Sequence, residues 1–83
     1  MATVLDRPAQ SDLAQRGDLL TNRELEMLSH LAAGLDINDA IRRMGIQRRT
    51  AYRHLQNIYA KLGARSRAHA VVLGYALGLV RIT

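Results

Sequence analysis

Four side chains that can hydrogen-bond or stack on nucleic acid recur at helical spacing in the second half of the chain. Arg49, Tyr52, Arg53 and Gln56 follow one another at steps of three, one and three residues, so a helix through them carries all four on one face. Arginine donates to phosphate oxygens and to the acceptor edge of guanine, and glutamine pairs with adenine. The pattern predicts a surface that contacts phosphates and base edges.

The helix that carries this surface also needs a side that anchors it. Apolar residues recur through the same segment at steps of four, three and four, namely Ala51, Leu55, Ile58 and Leu62. Such spacing is typical of a helix with one buried stripe. We therefore predict a helix from about Arg48 to Leu62, with its polar side facing away from a core.

Two segments before this helix show start and stop signals. Thr21 and Glu24 have the spacing of a capping box and open a helix that we expect to reach about Ala33. The preceding residues, 1–19, are polar with weak periodicity. We interpret them as a flexible N-terminal arm, and residues 20–83 as the domain.

A short helix is predicted between Asp36, which can cap it, and about Met44. Gly45 then permits a tight turn into the helix that begins near Arg48. Two helices joined by so short a turn have the dimensions of a helix-turn-helix. Generic helix pairs share these dimensions, so the spacing alone leaves both possibilities open.

The charges are segregated along the chain. All seven acidic residues precede residue 40, and nine of the twelve basic residues follow it, with a formal net charge of +5. Unopposed positive charge is best tolerated where a polyanion neutralises it. DNA, RNA, an anionic membrane surface and a simply solvated basic face are all compatible with the charge alone.

Composition limits the fold and the function. Eighty-three residues suffice for one domain, and a chain that is 48% hydrophobic without Trp or Phe favours packed helices, hence an all-α fold. His30, His54 and His69 lack metal-ligand spacing, and no nucleophile elbow or phosphate loop is present. We expect no enzyme, no metal and no cofactor. The absence of cysteine, of a signal peptide and of a long apolar run indicates a cytoplasmic protein.

Several short motifs follow one another without a gap from about Leu20 to Val80, namely Leu20–Glu24, Ala32–Leu35, Met44–Ile46, Arg49–Thr50, His54–Gly63 and Ser66–Ala68. In order and spacing they resemble the LuxR/FixJ-type (GerE-like) helix-turn-helix family. The resemblance implies a four-helix domain whose third helix enters the major groove of DNA. The initiating Met1 and the length of the chain indicate a stand-alone domain, regulated through its abundance, its dimerisation or a partner protein.

Carried over position by position, the resemblance implies base contacts from Tyr52, Arg53 and Gln56. Tyr52 can contact a thymine methyl group or a phosphate. The implied contacts to the DNA backbone are Arg42, Arg43, Arg48, Arg49, Thr50 and Lys61. We therefore expect a sequence-specific regulator of transcription that binds double-stranded DNA as a homodimer on a two-fold related site and is associated with the nucleoid when bound.

Some residues depart from the pattern of that family. Gln47 stands where a Ser cap is usual, Ala51 where Val is usual, and Tyr52 where Lys is frequent. In the second helix, Asp39-Ala40-Ile41 replaces the usual Glu-Ile-Ala. These changes leave the polar surface intact but leave the target sequence open.

The last predicted helix, capped by Ser66 and reaching about Leu79, is almost wholly apolar. One small domain cannot cover two sides of such a helix, so a second surface should meet a partner. We expect a homodimer interface formed by Val72, Leu73, Ala76, Leu79 and Val80, with Gly74 and Gly78 allowing close approach. Two alternatives are that the N-terminal arm covers this face, or that the domain is a protein-interaction module that binds RNA polymerase or another regulator.

Overall fold

The structure, a computed structural model, describes residues 20–81 and contains four helices. They are α1 (Asn22–Ala32), α2 (Ile37–Met44), α3 (Arg48–Leu62) and α4 (Arg67–Ala76). No strand occurs within this range. The all-α, four-helix prediction is confirmed, whereas the arm predicted for residues 1–19 lies outside the described residues.

Helix α1 begins with the predicted capping box. The backbone N–H of Glu24 donates to Thr21 Oγ1 at 3.1 Å, and the backbone N–H of Thr21 donates to Glu24 Oε1 at 2.9 Å. The two bonds satisfy donors that a helix N-terminus otherwise leaves without partners. The helix ends at Ala32, one residue before the expected end, because Ala33 is its C-cap.

The predicted helix-turn-helix is formed by α2 and α3. Asp36 caps α2 by accepting from the backbone N–H of Asp39 at 2.9 Å. Gly45 ends α2 in the left-handed region, with φ at +65°, a conformation that is costly for residues with a Cβ. Only Ile46 and the cap residue Gln47 separate Gly45 from Arg48, so the turn holds α3 at a fixed orientation to α2.

The core is built around α3. Its predicted stripe is buried, with 3% exposure or less at Ala51, Leu55, Ile58 and Leu62. Helix α3 packs against each of the other three helices. A central helix held on three sides presents only its remaining face to solvent.

Helix α4 begins as predicted but ends earlier. Ser66 caps it by accepting from the backbone N–H of His69 at 3.1 Å. The helix stops at Ala76 rather than near Leu79, because the chain turns at Gly78, whose φ is +73°. The backbone N–H of Leu79 then donates to the carbonyl of Gly74 at 2.8 Å, and the chain folds back along the helix.

This reversal buries Val80, which is only 6% exposed. A Cβ at Gly74 would lie 2.9 Å from Leu28 Cδ2 and 3.2 Å from Val80 Cγ2. The close approach that glycine permits there therefore serves the domain's own core. Val80, which the sequence assigned to a dimer interface, packs instead inside the protomer because the turn at Gly78 directs it inward.

Candidate nucleic-acid interface

The outward side of α3 is polar and positively charged. Arg49, Tyr52, Arg53 and Gln56 are all exposed, and the ring-bearing Tyr52 is 44% accessible. They lie opposite the buried stripe, so the same helix that anchors in the core presents all four side chains together. The structure thus brings the three predicted base-contacting residues onto one accessible surface.

The first turn of α3 is secured by a side chain rather than by a cap. Gln47 occupies the N-cap position but makes no side-chain capping hydrogen bond. Arg48 Nη2 instead donates to Asn38 Oδ1 at 2.8 Å, which joins the start of α3 to the start of α2. Arg48, which is predicted to contact the DNA backbone, therefore already has a partner within the domain.

The other residues predicted to contact the DNA backbone lie around this turn in different environments. Arg43 and Arg49 are exposed, and neither forms an ion pair with a carboxylate of the described residues. Arg42 is exposed and paired with Asp39 on its own helix. Thr50 is half-buried. Of this group, Arg43 and Arg49 are the most available to an external anion.

Lys61, the last residue predicted to contact the DNA backbone, forms an ion pair inside the domain. Its Nζ lies 2.8 Å from Glu24 Oε1, and the side chains are 29% and 4% exposed respectively. Because Lys61 compensates a buried carboxylate, moving it to a phosphate would leave that carboxylate unpaired. The structure therefore gives Lys61 a positioning role between α3 and α1.

The ionisation of Glu24 reflects these neighbours. Burial by itself raises the pKa of the Glu24 carboxyl. Hydrogen bonds from Lys61, from the Thr21 backbone and from Asn57, together with the Lys61 charge, outweigh this effect, so the pKa lies below its ordinary value of 4.5. Glu24 is therefore charged at neutral pH and holds both the α1 cap and α3 in place.

Acidic side chains in the described part of the chain are engaged away from the exposed side of α3. Glu24 pairs with Lys61, Glu26 with Arg23 at 2.8 Å, and Asp39 with Arg42, while Asp36 caps α2. The arginines of the outward side are thus left without compensating charge from these residues. Such a surface attracts a polyanion.

A bond not anticipated from the sequence fixes the end of α2. Arg23 Nη2 donates to the carbonyl oxygen of Met44 at 2.9 Å, across 21 residues of sequence. The carbonyls at a helix C-terminus lack intrahelical partners, so the guanidinium satisfies one of them. Arg23 therefore ties the helix-turn-helix to α1, and only its place in the family-like motif at Leu20–Glu24 marks it in the sequence.

The second surface of interest is the outer side of α4. Val72 is 60% exposed and Tyr75 is 39% exposed, with Ala76 exposed beside them and Leu73 half-buried. A groove next to Val72 is lined by Leu31, Tyr59, Ser66, Arg67, Ala68 and Val71. Of the five predicted interface residues, Val72 and Ala76 are accessible, Leu73 and Leu79 are half-buried, and Val80 is in the core.

Within residues 20–81, no group of three or more His, Asp or Glu side chains is arranged to hold a metal ion. None of the helices found there has the length and apolar character needed to cross a membrane. His30 lies 3.7 Å from Glu26, and His69 Nδ1 accepts from the backbone N–H of Arg65 at 3.0 Å. His69 therefore has a local hydrogen-bond partner, whereas the buried Nε2 of His30 has none among the described residues.

Comparison with known proteins gives a consistent picture. The family described as bacterial regulatory proteins, luxR family (GerE), matches residues 18–74. The chain is 48% identical over 54 residues to the probable transcriptional regulatory protein SgaR of Hyphomicrobium methylovorum, covering 65% of this chain and 26% of that protein. It is 36% identical over 63 residues to the transcriptional regulatory protein YdfI of Bacillus subtilis, covering 76% and 30%.

A third relative, the transcriptional activator protein ExpR of Dickeya dadantii, is 29% identical over 77 residues, which cover 93% of this chain and 31% of that protein. The chain thus spans about a quarter to a third of the length of these relatives. No solved structure gives a significant match. The family is one of regulatory proteins rather than enzymes.

Proposed function

This chain belongs to the LuxR family of bacterial regulatory proteins, and from that premise we propose that it binds duplex DNA sequence-specifically and regulates transcription. The observation that carries the proposal is the construction of α3. One side of this helix is 3% exposed or less, and its opposite side presents two arginines, a tyrosine and a glutamine with no covering element among the described residues. A helix so held can enter the major groove as a rigid probe.

Base recognition is assigned to Tyr52, Arg53 and Gln56. A bidentate arginine selects guanine and a bidentate glutamine selects adenine, and each such pair discriminates by about 1–3 kcal/mol. Arg43 and Arg49, exposed at the two sides of the turn, are assigned to phosphates. Further phosphate contacts can come from Arg42, Arg48 and Thr50, but Arg42 and Arg48 would then give up their bonds to Asp39 and Asn38. Lys61 is omitted because it pairs with Glu24.

The regulator is proposed to act as a homodimer. Val72, Tyr75 and Ala76 form an exposed apolar surface on α4, and burying it against a second copy would remove this surface from water. A two-fold dimer places two copies of α3 about one turn of DNA apart, and a two-fold related site follows from that symmetry. Binding to the nucleoid would place the protein in the cytoplasm.

The test is selection from a random duplex DNA pool by the full chain, followed by salt titration of the enriched sequence. We expect a motif to be enriched, and affinity to fall linearly on a logarithmic salt scale with a slope of about 0.9 per phosphate contacted. Arg53→Ala should relax the preference at one base pair by about 1–3 kcal/mol, and Gln56→Ala at another.

Arg81→Ala is the matched control. Arg81 is an exposed arginine beyond the end of α4, outside the proposed interface. Arg81→Ala removes the same charge as Arg53→Ala and should leave the base preference unchanged. If Arg53→Ala and Gln56→Ala both retain the full preference of the parent chain, the assignment of the recognition surface is wrong.

The exposure of Val72 and Tyr75 also favours a second function, that of a protein-interaction module. In that case α4 would bind RNA polymerase or another regulator instead of a second copy. This function is distinguished by a chain that enriches no DNA motif yet forms a stoichiometric complex with purified RNA polymerase, lost in Val72→Glu.

A further inference from the structure

We propose that Tyr52 recognises the C5-methyl group of a pyrimidine in the major groove, so that thymine and 5-methylcytosine are equivalent at that position. The proposal rests on the proposed DNA binding through α3 and specifies one element of its base preference. It also predicts that cytosine methylation changes the set of sites that the protein occupies.

The first support is the contrast between two tyrosines on the same edge of α3. Tyr52 and Tyr59 are seven residues apart, which is about two helical turns. Tyr59 is half-buried and packs against the core cluster, where it also lines the groove beside α4. Tyr52 is 44% exposed and is not part of that cluster. The ring of Tyr52 is therefore an apolar surface available to a ligand.

The second support is that Arg48, a cation on the same edge of α3, is bonded to another helix. Arg48 lies one turn before Tyr52, where an arginine can cover an aromatic ring by a cation–π contact. Its Nη2 is instead bonded to Asn38 Oδ1 at 2.8 Å. The bond to α2 keeps Arg48 engaged, and the Tyr52 side chain remains exposed.

The third support is the chemistry of the surrounding surface. Arg49, Arg53 and Gln56 flank Tyr52 and are all hydrogen-bonding side chains. In the major groove the apolar feature of a base edge is the C5-methyl group of thymine, which matches an apolar side chain and not a donor. An aromatic ring among polar contacts thus suits a methyl group. A ring contact senses that group whether the pyrimidine carries O4 or N4, so 5-methylcytosine qualifies as well.

The experiment uses the full chain and the duplex enriched by selection from a random pool. Each thymine of that duplex is replaced in turn by deoxyuridine, which lacks only the methyl group. We expect one position per half-site at which affinity falls about fourfold. This factor corresponds to about 0.8 kcal/mol, the free energy of burying one methyl-sized group. At the same position, 5-methylcytosine should bind about fourfold more tightly than cytosine.

Variants separate the ring from its hydroxyl. Tyr52→Ala should bind the thymine and deoxyuridine duplexes equally, whereas Tyr52→Phe should retain the fourfold difference. Gln56→Ala is the matched control on the same surface, expected to weaken binding to both duplexes while preserving their ratio. Loss of the ratio in Tyr52→Phe would instead indicate that the hydroxyl makes the discriminating contact, for example to a phosphate, and would overturn the proposal.

Two failures have different meanings. An enriched motif without any methyl-sensitive position, or a methyl effect that persists in Tyr52→Ala, contradicts this inference alone. A chain that enriches no motif contradicts the proposed function and the inference with it. Circular dichroism of each variant verifies that the helices are retained, which is expected because the Tyr52 side chain lies outside the core cluster.

Discussion

Lys61 Nζ lies 2.8 Å from Glu24 Oε1, and this bond joins the last turn of α3 to the first turn of α1. The carboxylate also accepts from the backbone N–H of Thr21, so one buried group serves both a helix cap and a contact between helices. Lys61 thus acts on the recognition helix by fixing its position.

Lys61→Met should destabilise the domain and leave the salt dependence of DNA binding unchanged. Removing the lysine leaves Glu24 buried without its charged partner, a loss of about 1–3 kcal/mol in the free energy of unfolding. Urea unfolding followed by circular dichroism measures it. Arg49→Met is the matched comparison: it should leave the stability within about 0.5 kcal/mol and reduce the salt slope by about 1. The reverse pattern would make Lys61 a phosphate contact.

Acid should weaken the domain through Glu24. The pKa of this carboxyl is lower in the folded than in the unfolded chain, so its contribution to stability is complete above the ordinary value of 4.5 and is lost as the pH falls through the folded pKa. The free energies of unfolding of the parent chain and of Glu24→Gln should therefore differ most at neutral pH. The two should converge in acid, and a constant difference down to pH 3 would exclude this origin.

Gly74→Ala should destabilise the domain although alanine is the better helix former. The new Cβ would meet Leu28 Cδ2 at 2.9 Å, and Leu28 is fully buried with little room to move. Overpacking costs about 1–3 kcal/mol against a gain of about 1 kcal/mol in helix propensity. Thermal unfolding gives the net sign. Adding Leu28→Val should recover part of the loss, and an increase in stability for Gly74→Ala alone would mean that the packing here is loose.

Val72→Glu should give a folded monomer. Val72 is 60% exposed, so the charge is tolerated in the isolated domain but not in an apolar interface between copies. Sedimentation equilibrium measures the mass of the species, and binding to a single half-site should be retained. Ser29→Glu, at an exposed position on α1, is the charge-matched control. A Val72→Glu chain that still sediments as a dimer would remove α4 from the interface.

Much of the fold follows from short-range signals. The three-residue spacing of Thr21 and Glu24 predicts the α1 cap. The two ends of α2 are predicted by Asp36, which caps its start, and by Gly45, at which the helix ends. The repeat of Ala51, Leu55, Ile58 and Leu62 likewise predicts the bounds of α3. Each of these elements can be inferred because the residues that determine it are neighbours in sequence.

Longer-range contacts were not predictable in this way. Lys61 and Glu24 are 37 residues apart, and a lysine on an exposed-looking stretch gives no sign of the carboxylate it will meet. Val80 was misplaced for a related reason. An apolar run looks the same whether the helix continues or turns back, and only the positive φ of Gly78 decides between them.

The outward residues of α3 take little part in holding the domain together. Arg53 and Gln56 are exposed, Tyr52 lies outside the core cluster, and α3 is fixed by its apolar stripe, by Arg48 and by Lys61. Affinity for a new DNA sequence could therefore be evolved, or engineered, by exchanging these three side chains with little effect on folding. The proposed base preference of this domain is thus separable from the contacts that fold it.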